Sequence, residues 1–233
     1  MESIEREHKN FVKRKFDRIV ERYDLVNFIG SLGQDVFWRK KVALTLKKAP
    51  LPILDLCCGP FTLSLAILKE RLSPIFALDL SFQMLLYGKS KLSKKEKEVI
   101  YPLCADAETL PFRSEAFGTL SIAFGLRNLP NKERALKEFY RVLKPGGILA
   151  ILEFSLPKNF FFKKIYLLYL SKYLPFLGGV LTKDKEAYQY LAESIQKFPP
   201  PEKLKQMLLE VEFKKVLYEP LTFGIVTFYL ATK

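Results

Sequence analysis

The sequence predicts an α/β fold organised around a doubly wound, mostly parallel β-sheet. Short apolar segments recur along the middle of the chain and alternate with segments whose apolar residues follow helical spacing. The first of them, Ile53–Cys57, is almost continuously apolar, as expected of a strand buried on both faces. Clusters of proline and glycine, such as Ala49–Pro52 and Lys144–Gly147, separate the elements.

Two helices are predicted before the first strand. Apolar residues at Val12, Phe16 and Ile19 follow helical spacing, with lysine and arginine between them. The predicted elements are a helix over 11–23, a turn over 27–33 and a helix over 34–48. We expect residues 1–50 to form an N-terminal helical cap on a single domain that spans residues 1–233.

Strands and helices are predicted to alternate from residue 53 to residue 154. The strands are expected over 53–57, 75–80, 98–104, 118–124 and 148–154. The helices are expected over 63–72, 81–92 and 131–143. Ser81 and Asn131 are suited to cap two of these helices, because their side chains can accept a hydrogen bond from a first-turn amide.

The last third of the chain departs from this alternation. Residues 157–198 are expected to form a helical insertion, with an aromatic segment over 157–182 and a helix over 184–197. The elements that follow are a helix over 202–210 and strands over 213–218 and 225–231. Only a short turn separates the last two strands, so we expect an antiparallel C-terminal hairpin.

The charge balance is strongly basic, with 38 Lys+Arg against 25 Asp+Glu and a formal net charge of +13. Such a charge favours binding to nucleic acid, to an anionic membrane surface or to another anionic ligand. It can equally serve only to keep the protein soluble. The most apolar region, 160–181, is interrupted by lysines, so it suits a segment that rests on a membrane rather than one that crosses it. No signal peptide is expected in the polar segment Met1–Asn10, and a cytoplasmic location follows.

The cysteines and the single histidine argue against several kinds of site. Cys57, Cys58 and Cys104 have no even pairing and lack the spacing of metal ligands, and His8 is the only histidine. We therefore expect no zinc site, no other metal and no Ser-His-Asp triad. The cysteines are expected to be small buried residues in a reducing compartment.

Three acidic residues are predicted at the ends of consecutive strands: Asp55 before a turn at Gly59, then Asp79, then Asp106. In an open α/β sheet, ligands bind at the carboxyl edge, and an acid ending the second strand accepts hydrogen bonds from ribose hydroxyls. An acid after the third strand can face an adenine amino group. Each acid alone could be a solvated strand end or a helix cap, whereas three in register favour an adenosine site.

The turn at Gly59 narrows the identity of this ligand. Neither G-x-G-x-x-G nor G-x-x-x-x-G-K-[ST] occurs in the sequence, so no pyrophosphate cradle and no P-loop is expected. An adenosine ligand that needs no phosphate-binding loop points to S-adenosylmethionine.

Further motifs resemble the quinone-biosynthesis C-methyltransferases, a family that methylates demethylmenaquinone and the related ubiquinone precursor. The most specific are Phe124-Gly125-Leu126-Arg127-Asn128 and Tyr190-Leu191-Ala192-Glu193-Ser194-Ile195. The segment Arg141–Gly147 is shared widely among methyltransferases. Other matching segments are Tyr23–Asn27, Trp38-Arg39, Ala107–Phe112 and Leu152–Ser155. The resemblance extends over nearly the whole chain.

The resemblance implies a Rossmann-like class I methyltransferase: a seven-stranded, mostly parallel sheet with an antiparallel C-terminal hairpin and N-terminal helices. It implies transfer of a methyl group from S-adenosylmethionine to a ring carbon of a demethylated isoprenoid quinol in menaquinone or ubiquinone biosynthesis. Either a naphthoquinol or a benzoquinol fits. Such a lipid-soluble substrate implies a peripheral location on the inner face of the membrane, with 157–198 on the substrate side. A homo-oligomer is compatible with the sequence.

The resemblance also assigns roles to individual residues. The residues expected to bind the cofactor are Asp55, Gly59, Asp79, Asp106 and Ala107. Arg127 and Asn128 match a pair implicated beside the substrate ring, where Arg127 would stabilise phenolate charge. The residues expected on the substrate side are Tyr23, Asn27 and Trp38. A salt bridge that anchors its loop is the alternative role of Arg127, and simple packing is the alternative for Trp38.

Two departures from the family pattern bear on the cofactor. The family loop commonly reads G-T-G-D, whereas this chain has Gly59-Pro60-Phe61-Thr62, and Ala123 replaces the usual serine. Phe61 adds a bulky side chain where glycine lets the methionine end of the cofactor approach, and Pro60 removes an N–H. A catalytically inactive binding subunit is therefore an alternative to the enzyme. A basic nucleic-acid-binding protein is a third hypothesis, but without a recognition module no nucleic-acid partner is expected.

Overall fold

The structure, a computed structural model, describes residues 2–176, Gly179 and 185–233. The strands of the described residues are β1 Ile53–Leu56, β2 Ile75–Asp79, β3 Ile100–Cys104, β4 Phe117–Ala123, β5 Leu143–Phe154, β6 Lys214–Leu221 and β7 Val226–Thr232. They form one sheet in the order β3-β2-β1-β4-β5-β7-β6. Strands β1 to β5 are parallel, and β7 pairs antiparallel with β5 and β6. The predicted seven-stranded sheet with an antiparallel C-terminal hairpin is thus confirmed.

Helices fill the connections between the strands. They are α1 Glu2–Ile19, α2 Tyr23–Gly30, α3 Gln34–Leu46, α4 Thr62–Glu70, α5 Phe82–Lys91, α6 Lys94–Lys97, α7 Lys132–Val142, α8 Phe160–Leu168, α9 Lys185–Lys197 and α10 Pro201–Glu210. Ser81 caps α5 by accepting a hydrogen bond from the Met84 amide at 3.0 Å, and Asn131 caps α7 by accepting one from the Arg134 amide at 3.0 Å. Both predicted caps are therefore present.

The N-terminal helices differ from the prediction. Helix α1 begins at Glu2, and the chain predicted as a turn over 27–33 stays helical to Gly30. The first half of α1 is polar and gives no apolar period, so its helix is stabilised by tertiary contacts such as the Glu5–Arg134 ion pair at 2.7 Å. Helix α2 ends at Gly30, and Gly33, which has a left-handed φ of 76°, lies in the turn directly before α3.

Strand β5 begins earlier than predicted, because the glycine-rich turn after α7 lies inside it. Gly146 has a left-handed φ of 74°, and β5 shifts its register against β4 at this point. The Gly146 amide donates to the Lys233 carbonyl at 3.1 Å, and the Lys233 amide donates to the Gly147 carbonyl at 3.0 Å. Pairing with the end of β7 therefore extends the strand through a bulge.

The central strands separate two apolar layers. Every residue of β1 and β4 is buried. On one face, Leu54 and Leu120 pack with residues of α7 and α10. On the other face, Ile53 packs with Val42 and Leu46 of α3 and with residues of α4. Burial on both faces explains the nearly continuous apolar character of these strands.

The insertion places helix α8 against α9. Tyr166 and Leu170 are buried in a cluster with Tyr188 and Ile195 of α9. Residues 177, 178 and 180–184 of the predicted insertion lie outside the described residues. In the part of the chain that is described, no helix combines the length and the apolar character needed to cross a membrane.

Candidate active site

Two cavities meet at the carboxyl edge of the sheet. The smaller, of about 80 Å³, lies over the ends of β1 to β4 and is covered by α1; we call it the small cavity. The large cavity, of about 340 Å³, is lined mainly by aromatic and aliphatic side chains from α1 to α3, α8 and α9. Phe16, Tyr23 and Phe124 line both cavities. A ligand in one cavity would therefore contact the same three side chains as a ligand in the other.

Asp79 lines the small cavity at the end of β2. Its Oδ2 accepts a hydrogen bond from the Gly59 amide at 2.8 Å, and its Oδ1 accepts one from the Ser81 amide at 2.8 Å. Burial raises the pKa of the carboxyl, while the two amides oppose the shift. Gly59 lines the same cavity with a left-handed φ of 54°. The two amides fix the carboxylate and leave each oxygen a lone pair for a ligand.

Asp106 and Ala107 lie on the neighbouring wall of the small cavity. Asp106 Oδ1 accepts a hydrogen bond from the Glu108 amide at 2.9 Å, and its Oδ2 pairs with Lys9 Nζ of α1 at 2.6 Å. The same Nζ lies 2.5 Å from a carboxylate oxygen of Glu108. Burial acts to lower the pKa of Lys9, but these hydrogen bonds outweigh it and the pKa is raised. No sequence pattern pointed to Lys9, which lies on a polar stretch of α1.

Asp55 does not line either cavity, in contrast to the expectation of a direct cofactor contact. It is 1% exposed, and its carboxylate accepts hydrogen bonds from the hydroxyls of Ser64 at 2.6 Å and Ser121 at 2.8 Å. Burial raises its pKa to about 6. Asp55 therefore joins β1 to α4 and β4 beneath the site, and it positions the turn at Gly59 from below.

The Phe61 side chain points away from both cavities, so the obstruction expected from the sequence is not present. Phe61 is 0% exposed and packs with Ala77 and Leu85 between the sheet and α5. It has a left-handed φ of 68°, which turns the ring towards Gly88. A Cβ on Gly88 would lie only 2.7 Å from the ring. A glycine inside the helical pattern of α5 was the one sequence signal of this packing.

Arg127 lines the large cavity and is also anchored by an ion pair. Its Nη1 donates to Glu153 Oε1 at 3.0 Å and to the Phe124 carbonyl. Glu153 is 0% exposed and accepts two further hydrogen bonds, from the backbone amides of Arg127 and Phe154. Arg127 Nε is buried without a hydrogen-bond partner. Arg127 thus has the alternative role of a salt bridge that anchors its loop, and it also borders the large cavity.

Asn128, the next residue, lines the small cavity. Its Oδ1 accepts a hydrogen bond from the Tyr190 hydroxyl at 3.2 Å. Tyr190 lines the large cavity, and burial raises the pKa of its hydroxyl. The Arg127-Asn128 pair therefore lies at the boundary between the cavities: Arg127 lines the large cavity and Asn128 lines the small one.

Tyr23, Asn27 and Trp38, the residues expected on the substrate side, all line the large cavity. Trp38 is 1% exposed, and its indole N–H donates to the Thr222 hydroxyl at 2.8 Å. Its ring lies 6.0 Å from that of Phe124. Packing is the main role of Trp38, whereas Tyr23 belongs to the boundary of the two cavities.

This architecture defines the class of the protein. A SAM-dependent methyltransferase from Thermotoga maritima shares the fold, with a TM-score of 0.66 at 17% identity over 95% of this chain and 99% of that one. A SAM-dependent methyltransferase from Aquifex aeolicus gives a TM-score of 0.59 at 15% identity, covering 90% of this chain and 97% of the other. The fold is that of a class I methyltransferase, as predicted.

Sequence comparison identifies the family. The profile of the ubiE/COQ5 methyltransferase family matches residues 2–233. Demethylmenaquinone methyltransferase of Thermus thermophilus is 43% identical over 94% of this chain and 99% of its own length. The ubiquinone/menaquinone biosynthesis C-methyltransferase UbiE of Shewanella frigidimarina is 38% identical over 94% of this chain and 88% of its own. The chain belongs to the ubiE/COQ5 methyltransferase family, which confirms the predicted enzyme class.

Proposed function

We propose that this protein is an S-adenosylmethionine-dependent C-methyltransferase that methylates a ring carbon of a demethylated isoprenoid quinol in menaquinone or ubiquinone biosynthesis. The observation that carries the proposal is the junction of the two cavities. A small cavity with two carboxylates meets a large apolar one at Phe16, Tyr23 and Phe124. The names of the relatives in Thermus and Shewanella support the same substrate class.

The residues of the small cavity fit S-adenosylmethionine. Asp79 offers lone pairs to ribose hydroxyls, Asp106 offers them to an adenine amino group, and the apolar wall includes Met84 and Leu129. Ligand pockets usually measure roughly 300–1,000 Å³, whereas this cavity measures about 80 Å³. We therefore expect helix α1 to shift when the cofactor enters, so that Lys9 releases Asp106.

The large cavity fits an aromatic ring followed by an isoprenoid chain, since its wall is aromatic and aliphatic. When bound, S-adenosylmethionine supplies an electrophilic methyl group on a sulfonium centre. Arg127 presents a buried Nε without a partner, so it can stabilise negative charge on a ring oxygen. Alignment of the ring at the boundary by Tyr23 and Asn128 supplies a further part of the rate.

The proposal is tested by following labelled methyl transfer from S-adenosylmethionine to a demethylated naphthoquinol and a demethylated benzoquinol with short prenyl tails. We expect transfer to the reduced ring and none to the oxidised quinone, whose ring carbons are electron-poor. Asp79→Asn should lose cofactor affinity, while Glu210→Gln, an exposed carboxylate on α10, should behave as wild type. Tight cofactor binding without transfer to any quinol would contradict the proposal.

A second part of the proposal concerns the membrane. The mouth of the large cavity includes Leu32, Phe162 and Phe223, and the first and last of these are 80% and 74% exposed. Beside it, Phe160 and Phe161 of α8 are 81% and 66% exposed. The exposed lysines next to them are Lys163 and Lys164. Exposed aromatic residues with adjacent cations suit the interface of an anionic bilayer, from which an isoprenoid tail could enter the cavity.

Vesicle sedimentation tests this surface. Wild-type protein should bind vesicles that contain anionic lipid, and high salt should weaken the binding. Phe160→Ser combined with Phe161→Ser should reduce it, whereas Phe82→Ser, on α5 and 53% exposed, should not. Equal binding by all three proteins, or binding by none at any salt, would contradict a membrane-facing role for this surface.

A further inference from the structure

A second cation faces the large cavity, in addition to Arg127. Arg39 of α3 lines this cavity and is 6% exposed. Its Nε is buried without a hydrogen-bond partner, and its charge acts at longer range on the buried Asp55 carboxylate, where it opposes the rise in pKa that burial causes. The Cζ atom lies 5.1 Å from the centre of the Phe124 ring, at the boundary of the cavities. A buried cationic N–H without an acceptor is costly, so this position favours a ligand oxygen that develops negative charge.

An acid stands one turn earlier on the same helix. Asp35 is 7% exposed and lines the large cavity. Its Oδ1 accepts a hydrogen bond from the Ser31 hydroxyl at 3.0 Å. Of the described residues that line this cavity, Asp35 is the only carboxylic acid. Glu153 lies behind Arg127 with its oxygens engaged by backbone amides and the guanidinium, so it is unsuited to accept a substrate proton.

We propose that Asp35 and Arg39 together activate the quinol: Asp35 accepts the proton of a ring hydroxyl, and Arg39 stabilises the oxygen anion. This inference rests on the proposed function and assigns its proton acceptor. Residues i and i+4 of a helix point in the same direction, so α3 can present both groups to one oxygen. Neither residue was predicted as a site, although Arg39 belongs to the matching Trp38-Arg39 segment, because a charged side chain on a helix ordinarily faces solvent.

The reaction balances with these two groups. The hydroxyl O–H bond breaks, the proton passes to Asp35, and the electron pair delocalises from the oxygen into the ring. The ring carbon forms a C–C bond with the methyl group as the donor C–S bond breaks, and that electron pair stays on sulfur. The ring-carbon proton then leaves to water, and Asp35 returns its proton to the ring oxygen. One proton is released per turnover.

A chromophoric phenol tests the role of Arg39 without turnover. 4-Nitro-1-naphthol is titrated into cofactor-free protein at fixed pH, and its absorbance reports the ratio of anion to neutral phenol. Wild-type protein should raise this ratio by about tenfold or more, because a cation within contact distance lowers a phenol pKa. Arg39→Met should lose most of this increase and Arg39→Lys should retain part of it. The matched control is Lys40→Met, an exposed cation on the same helix.

Asp35→Asn separates the proton acceptor from the anion-binding cation. This variant should ionise the naphthol at least as well as wild type, yet lose about 100-fold or more in methyl transfer at neutral pH. Raising the pH should recover part of the loss, because hydroxide can replace the carboxylate. The cations lining the cavity among the described residues, Lys15, Arg39 and Arg127, are unchanged in this variant.

The outcomes distinguish this inference from the proposed function. Arg39→Met also removes the charge that acts on Asp55, so its melting temperature is measured beside the naphthol titration. Wild-type naphthol ionisation in Arg39→Met would overturn the role of Arg39, and a lowered melting temperature with it would indicate a structural role instead. An unchanged rate in Asp35→Asn would overturn the role of Asp35. If the wild-type enzyme methylated no quinol, the proposed function would fail. The naphthol titration would still show whether Arg39 stabilises a bound phenolate.

Discussion

Replacing Phe61 by glycine restores a residue that favours the left-handed backbone of the cofactor turn but empties a packed site. The ring is 0% exposed, and removing a buried Phe side chain costs roughly 3–5 kcal/mol. A non-glycine residue at φ 68° carries about 1 kcal/mol of strain that glycine would relieve. The net loss of unfolding free energy is therefore about 2–4 kcal/mol. For a chain of this size the melting temperature should fall by about 5–15 °C.

Thermal denaturation measures the predicted loss of stability, and calorimetry with S-adenosylmethionine measures the cofactor affinity. Because Phe61 lines neither cavity, the cofactor affinity of the folded Phe61→Gly variant should stay within about threefold of wild type. A variant that keeps the wild-type melting temperature and gains cofactor affinity would refute the reasoning, since the ring would then occupy cofactor space.

The contact with Gly88 provides the matched variant. Alanine normally stabilises a helix interior relative to glycine by about 1 kcal/mol, but a Cβ at Gly88 would lie 2.7 Å from the Phe61 ring and 2.9 Å from Pro60 Cα. We expect Gly88→Ala to destabilise by about 1–3 kcal/mol. The double variant Phe61→Ala/Gly88→Ala should lose less unfolding free energy than the sum of the two single losses, by about 1 kcal/mol. Strict additivity would show that the ring does not face Gly88.

Three further predictions concern the buried charges of the site. Asp79→Asn leaves one of the two backbone amides without its acceptor and removes the charge, so calorimetry should show a loss of about 1.5–3 kcal/mol, tenfold or more, in cofactor affinity. Burial raises the pKa of Asp55 from 3.8 to about 6, so the folded state binds this proton more tightly than the unfolded chain. Its contribution to the unfolding free energy should fall by about 3 kcal/mol as the pH rises from about 4 to 6, and urea titrations of Asp55→Asn should lack that fall. Arg127→Met leaves Glu153 buried and unpaired and should cost about 3–5 kcal/mol in urea titrations, whereas adding Glu153→Gln should recover stability without recovering methyl transfer.

The sheet could be predicted because its signals are local. Strands β1 and β4 are buried on both faces, and such burial requires the apolar runs that are visible in the sequence. The positions of Asp79 and Asp106 at one edge follow from the parallel order of their strands. Proline, glycine and capping residues then fix where most helices begin and end.

What the sequence could not provide is the direction in which a side chain points from a turn. The bulk of Phe61 suggested an obstructed cofactor site, but a left-handed φ turns the ring into the layer below. Asp55 looked like a ligand because it precedes the turn, yet the hydroxyls of Ser64 and Ser121 hold it beneath the site. The ion pair of Lys9 with Asp106 joins residues far apart in the chain, and no local pattern records it.

The way in which helices α1 and α2 cover the two cavities has a consequence for the order of ligand binding. Among the residues of helix α1 whose side chains are described, Lys15 alone is buried, and polar contacts such as Lys9 with Asp106 and Asp17 with Ser81 join the helix to the sheet edge. Phe16 of α1 and Tyr23 of α2 nevertheless form the wall between the two ligands. Whichever ligand binds first should order these helices, so the second should meet a smaller entropic cost. Linkage then requires that the cofactor tighten quinol binding by the same factor as the quinol tightens cofactor binding.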